Sequence, residues 1–125
     1  MCSDPIPSSQ ITERVIGAAF RVMNTLGVGF LEKVYANALA HELRTCGLEV
    51  EQQHRCVVHY DGVIVGDYAA DMLVAGSVLV ELKVAKALDG VHVAQCMNYL
   101  KATGLRLCLL MNFGRSRVEI QRVIR

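Results

Sequence analysis

The chain has 125 residues, 53% of them hydrophobic and 20% charged, with 13 Lys and Arg against 12 Asp and Glu for a net charge of +1. That length and apolar content suit one domain with a buried core and exclude disorder along most of the chain. No run reaches the roughly 18 apolar residues of a membrane span, and the near-neutral balance excludes a strongly basic nucleic-acid binder.

The start, "MCSDPIPSSQ", has neither a basic n-region nor an apolar h-region, so the expected location is cytoplasmic, with residues 1–10 a flexible N-terminus and 11–125 the domain. In "SSQITERVIGAAFRVMNTLG", Ser9 or Thr12 could cap a helix with an acid in its first turn. Ile11, Val15, Ala18, Ala19, Val22 and Leu26 recur at helical spacing up to Gly27. A second helix, Phe30 to about Cys46, carries Leu31, Val34, Tyr35, Ala38, Leu39 and Leu43 on one face and ends at Gly47. From Val50 the period shortens. Two β-rich segments flank Asp61-Gly62, the strongest short hairpin signal in the chain, and "VLVELKV" follows the turn "AGS".

Asp89 can cap a helix through "GVHVAQCMNYLKATG", closed by Gly104. "RLCLLMNF" then reads as a buried strand and "RVEIQRVI" as an edge strand. The order α-α-β-β-β-α-β-β predicts an α/β fold with a mixed β-sheet of about five strands flanked by helices, the helical crossover delivering a strand parallel to one already present.

Cys2, Cys46, Cys56, Cys96 and Cys108 are odd in number and lack C-x-x-C spacing, so they are expected as buried small hydrophobes rather than zinc ligands or a disulfide framework. His41, His54, His59 and His92 show no metal-ligand spacing and read as solvated or core histidines. The tail arginines Arg115, Arg117, Arg122 and Arg125 could meet phosphates or protect a strand edge.

The informative stretch is "DMLVAGSVLVELK", residues 71–83. Strand alternation puts Glu81 and Lys83 on one face and Val80, Leu82 and Val84 on the other. A three-residue loop of Ala75, Gly76 and Ser77 would place Asp71 opposite Glu81, with Cβ atoms roughly 4.5–5.5 Å apart. A two-residue loop would turn Asp71 to the other face. Like charges directly opposite destabilise a ladder unless a proton or a cation lies between them, and Mg2+ accepts one or two carboxylates together with substrate phosphate oxygens. Lys83 would then stand beside the bound water. The same triplet also fits a solvated strand face. In "GFLEKVY", Glu32 and Tyr35 share a helix face after Gly29, as an acid aimed at a strand end or as a dipole-favoured acid and a core tyrosine. In "QCMNY", Gln95 and Tyr99 share a face that could hold a water or a phosphate, or cap the core with polar tips.

Asp71, then Glu81-Leu82-Lys83, after a helix bearing an acid and before one bearing Gln95, resembles the PD-(D/E)XK nuclease superfamily with its restriction-endonuclease-like core. Gln95 with Tyr99 is similar to the Q-x-x-x-Y motif of its RecB-like branch. "LGVGFLEKVYANALAHEL", "AQCMNYLKATG" and "LLMNFG" resemble the GxxExxY family, whose motif falls on Gly29, Glu32 and Tyr35. Ala70 stands where the superfamily often has Pro, and Gly90 and Val93 stand where the closer family has Pro and an acid.

The resemblance implies a nuclease dependent on Mg2+ (or Mn2+) that hydrolyses phosphodiester bonds in DNA, with metal-bound water as nucleophile. Asp71, Glu81, the Leu82 carbonyl and Glu32 would be ligands or nearby acids, Lys83 would position the water, and Gln95 and Tyr99 would orient groups around the phosphate. The implied partner is nucleic acid, DNA ahead of RNA, with no membrane and with a homodimer or protein partner open. The alternatives are a non-cleaving nuclease-fold module or subunit that binds nucleic acid, and a structural domain with a solvated acidic hairpin.

Overall fold

A computed structural model describes residues 6–125; Cys2 and the first half of the expected flexible start lie outside the described residues. Helix α1 (Ser8–Leu26) begins inside that start, with Pro7 as N-cap. The cap expected from Ser9 or Thr12 is absent because the Pro7 carbonyl already accepts from the N–H groups of Gln10 (3.0 Å) and Ile11 (3.1 Å). Thr12 lies a turn inside and donates its hydroxyl to the Ser8 carbonyl at 2.8 Å, and no acid occupies the first turn. Gly27 ends the helix at a φ of 70°, which favours glycine.

Helix α2 (Glu32–Thr45) starts two residues later than its apolar spacing suggested, with Glu32 in its first turn. The buried Tyr35 accounts for the delay. Its hydroxyl donates to the Gly27 carbonyl at 2.5 Å and accepts the Phe30 N–H at 3.3 Å, holding the α1–α2 link non-helical. Tyr35 thus takes the core reading of its motif, stacked on Phe113 with centroids 5.0 Å apart.

Five strands follow, β1 (Val50–Tyr60), β2 (Val63–Val74), β3 (Val78–Lys83), β4 (Leu107–Asn112) and β5 (Glu119–Ile124), with helix α3 (Gly90–Thr103) between β3 and β4. They form one sheet in the order β1-β2-β3-β4-β5, antiparallel except for the parallel β3–β4 pair that α3 connects. The Asp61-Gly62 turn has positive φ at both residues, as a two-residue hairpin of right-handed twist requires. Asp89 caps α3 and Gly104 closes it in the left-handed conformation.

Helices α1 and α2 cover one face through Val15, Ala19, Leu39 and Leu43 against Met72, Val80, Leu82 and Met111. Helix α3 covers the other through Cys96, Tyr99 and Leu100 against Leu79, Cys108 and Leu110. Both central strands, β3 and β4, are therefore buried on two sides, which is why "VLVELK" and "LCLLMN" are nearly continuous in apolar residues. Of the cysteines, Cys56, Cys96 and Cys108 are buried and Cys46 is exposed. No helix of the described residues is long and apolar enough to cross a membrane.

Candidate active site

The turn between β2 and β3 is the three-residue loop. Val74 pairs with Val78, Leu73 with Leu79 and Met72 with Val80, so Asp71 faces Glu81 one step further on. Backbone pairing stops at that step. In its place the Asp71 N–H donates to Glu81 Oε1 at 3.0 Å, and the Leu82 N–H donates to Asp71 Oδ2 at 2.7 Å. The two carboxylates thus take hydrogen bonds from the facing strand's backbone beyond the last ladder pair. Leu82 enters the site through its N–H.

The β1 side opens at the same place. Gln52 pairs with Met72 and His54 with Ala70, but Gln53, opposite Asp71, has a φ of 54° and leaves the ladder. Asp61 and Ala75, the other non-glycine residues with positive φ among the described residues, lie in turns; Gln53 lies within a strand, where the left-handed conformation costs an L residue about 1–2 kcal/mol. The distortion also shows in the packing, since Ala70 joins the α3-side core while Met72, two residues on, joins the α1/α2-side core.

Glu81 is only 4% exposed. Burial first, and then the facing Asp71, push its carboxyl up to about 8, against the opposing pull of the Asp71 N–H and of Lys83. Lys83 Nζ lies 3.6 Å from Glu81 Oε2, with its side chain mostly shielded. A buried acid beside a second acid, with one neighbouring ammonium, is a hard-oxygen donor set that suits a divalent cation. Among the described residues, however, no three or more His, Cys, Asp or Glu side chains gather closely enough to hold one ion. Glu32 rides on the first turn of α2 and lines the same cleft as Asp71. Its carboxyl is raised by burial and then by Asp71, and lowered by Lys83 and His92, so it belongs to the same electrostatic neighbourhood.

On the α3 side, Tyr99 is 5% exposed and its ring lies 6.2 Å from that of Tyr68. Burial and then Glu81 hold its phenol protonated well above the ordinary range. Gln95 is half-buried one turn earlier on α3, without a hydrogen bond to either acid among the described residues.

Three contributors escaped the sequence reading. His92, one of the histidines with no assigned part, accepts the Asp89 N–H at its Nδ1 (3.2 Å) while Asp89 Oδ1 accepts the His92 N–H, a reciprocal cap that seats the ring near Glu32. The signal lay in the three-residue spacing of Asp89 and His92, and in the helical spacing of His92, Gln95 and Tyr99. Asn112 is fully buried and braces the chain leaving Lys83: its Oδ1 accepts from the Ala85 and Gly114 N–H groups, and its Nδ2 donates to the Ala85 carbonyl and to Glu119. Gly114 lies so close to the Ala85 backbone that a Cβ there would collide with it. The third is Gln53, for which the sequence carries no signal.

Among the tail arginines, Arg125 donates to the Leu105 and Gly104 carbonyls behind α3, and Arg115 lies 3.9 Å from Glu119.

With this geometry in place, a family model for the PD-(D/E)XK nuclease superfamily matches residues 9–123. The chain belongs to that superfamily. Its fold resembles the crystal structure of an alkaline exonuclease from Laribacter hongkongensis, with a TM-score of 0.52 and 15% identity over 95% of this chain and 82% of that one. The crystal structure of SSO0001 is more distant, with a TM-score of 0.45 and 16% identity over 92% and 77% of the two chains. No curated protein matches. The mixed five-stranded sheet flanked by helices is thus the restriction-endonuclease-like architecture, as the resemblance implied.

Proposed function

We propose that the protein is a nuclease that hydrolyses phosphodiester bonds in DNA with a divalent cation, Mg2+ or Mn2+, seated at Asp71 and Glu81. The observation that carries this reading is the interruption of the β2–β3 ladder by two facing carboxylates, one of them buried beside Lys83. Such an arrangement is unfavourable without a compensating positive charge. Asp71 and Glu81 would hold the cation, whose chemistry there would be to polarise a phosphate oxygen and ease the deprotonation of water.

The chain's own residues do the rest. Lys83 holds a water in line with the phosphorus and neutralises charge growing on the phosphate. Tyr99, kept as a neutral phenol, donates a hydrogen bond and does not serve as a base. Gln95 orients a phosphate oxygen or water from the same helix face. Glu32, an outer acid across the cleft, holds a proton more readily than an exposed carboxyl and orients a water beside the acid pair. His92, whose Nδ1 accepts the Asp89 N–H, has Nε2 as its free ring nitrogen in the neighbourhood of Glu32.

Within the superfamily we place the chain in the GxxExxY family of the RecB-like branch, a reading supported by Gly29, Glu32 and Tyr35 at the α1–α2 link and by Gln95 and Tyr99 on α3. We also read residues 11–125 as a single nuclease-like domain of cytoplasmic location. Incubation with plasmid, nicked and single-stranded DNA under Mg2+ or Mn2+ tests the activity. Metal-dependent cleavage abolished by Asp71→Ala and Lys83→Ala is the expected result. Cleavage that survives both substitutions contradicts the site, and salt-dependent binding without cleavage under any metal points to a nucleic-acid-binding module instead.

A further inference from the structure

A cleft of about 520 Å3 opens beside the acid pair, between α2 and the β1–β2 hairpin, lined by Glu32, Lys33, Asn37, Gln52, Gln53 and Asp71. Its volume falls within the roughly 300–1,000 Å3 of small-ligand sites, large enough for one nucleotide. Asp71 and Glu32 belong to both the cleft and the acid site, so a phosphate held at the acids has this cleft as its neighbour.

The lining is organised. Arg44 donates to the Val50 carbonyl at 2.9 Å and to Gln52 Oε1 at 3.4 Å, and Gln52 Nε2 donates to Asn37 Oδ1 at 2.9 Å. That chain engages the Asn37 carbonyl oxygen and leaves its amide N–H donors available. Gln53 brings a second amide, without a hydrogen-bond partner among the described residues, on a backbone held left-handed opposite Asp71. Strain of this kind, away from any turn, is found where a side chain must be aimed for function. Lys33 and Asn37 lie four residues apart on α2 and therefore share a face. Amides are the side chains that meet a base edge with a donor and an acceptor together, and lysine meets phosphate as a point charge.

We propose that this cleft is the subsite for the nucleoside whose phosphate would lie at Lys83 and at a cation held by Asp71 and Glu81, with Asn37 and Gln53 hydrogen-bonding the base edge and Lys33 meeting the next phosphate along the strand. The assignment rests on the nuclease reading above, and it makes the protein sensitive to the presence of a base at that position.

The test is calorimetric titration of the full chain with the four deoxynucleoside 5′-monophosphates and with deoxyribose 5-phosphate, each in the presence of Ca2+. At least one nucleotide should bind about tenfold more tightly than the sugar phosphate, as one good amide–base pairing provides. Asn37→Ala and Gln53→Ala should each shrink that preference to about twofold or less, while sugar phosphate affinity and Tm stay unchanged. Equal affinity for nucleotides and sugar phosphate, a preference that survives both substitutions, or no saturable nucleotide binding would each overturn the subsite. Mg2+-dependent plasmid cleavage by the same preparation separates the two readings: cleavage without base preference removes the subsite alone, and base preference without cleavage removes the nuclease activity alone.

Discussion

Two pairs of charged residues bridge strands of this sheet, and they obey opposite rules. Arg55 and Asp67 meet diagonally across the β1–β2 ladder at 2.6 Å, opposite in charge and well exposed. Asp71 and Glu81 meet across β2 and β3 with the same charge, and Glu81 is buried. The first arrangement is ordinary for a solvated ribbon and contributes little to stability. The second works against the fold, and only a proton or a cation relieves it. Within β2, Asp67 and Asp71 lie four positions apart, and burial with the sign of the partner sets their surroundings apart.

That contrast is broken or sharpened by substitution. The largest effect is expected at the like-charged pair: Asp71→Ala or Lys83→Ala should lower metal-dependent cleavage by roughly 10²–10³-fold or more in single-turnover assays, as removal of a charge-stabilising group does. Next comes pH. Glu81 holds its proton up to about 8 in the folded chain, against an ordinary value near 4.5, so the folded state binds more protons than the unfolded one between those limits. Without divalent cation, Tm should therefore fall as pH rises from about 5 to 8 and then level off. Glu81→Gln should remove much of that slope and raise Tm at the alkaline end, and in the wild-type protein cation affinity should climb over the same interval because ligation needs the carboxylate. A Tm rising with pH in the metal-free protein would contradict the assignment.

Smaller effects belong to the frame. Tyr35→Phe leaves the Gly27 carbonyl and the Phe30 N–H without their shared hydroxyl and should destabilise by about 1–3 kcal/mol in urea titration. Gln53→Gly should relieve the left-handed strain and stabilise the chain by about 1 kcal/mol by the same measurement. Smallest of all, Arg55→Ala and Asp67→Ala should leave both Tm and cleavage where they are.

Much of this contrast was legible in the sequence because it depends on local chemistry. Alternation placed Glu81 with Lys83, Gly76 inside a three-residue loop brought Asp71 opposite Glu81, and Asp61-Gly62 marked the long hairpin. Helix starts were less legible. Pro7 and Tyr35 set the entries of α1 and α2 through main-chain bonds, one with its own carbonyl and one from within the helix it delays, so the residues with capping chemistry were poor guides. Asn112 and Gly114 matter through contacts with Ala85, distant along the chain, which periodicity cannot report. The departure of Gln53 from the ladder opposite Asp71 leaves no mark on residue type.

Whether Asp71 and Glu81 seat a divalent cation is decided by titrating the metal-free protein with Mn2+ and reading the bound ion by electron paramagnetic resonance. One saturable site per chain is expected, abolished by Asp71→Asn and by Glu81→Gln and left intact by Arg55→Ala. Equal Mn2+ binding by the wild-type protein and the two acid variants would contradict this placement of the cation.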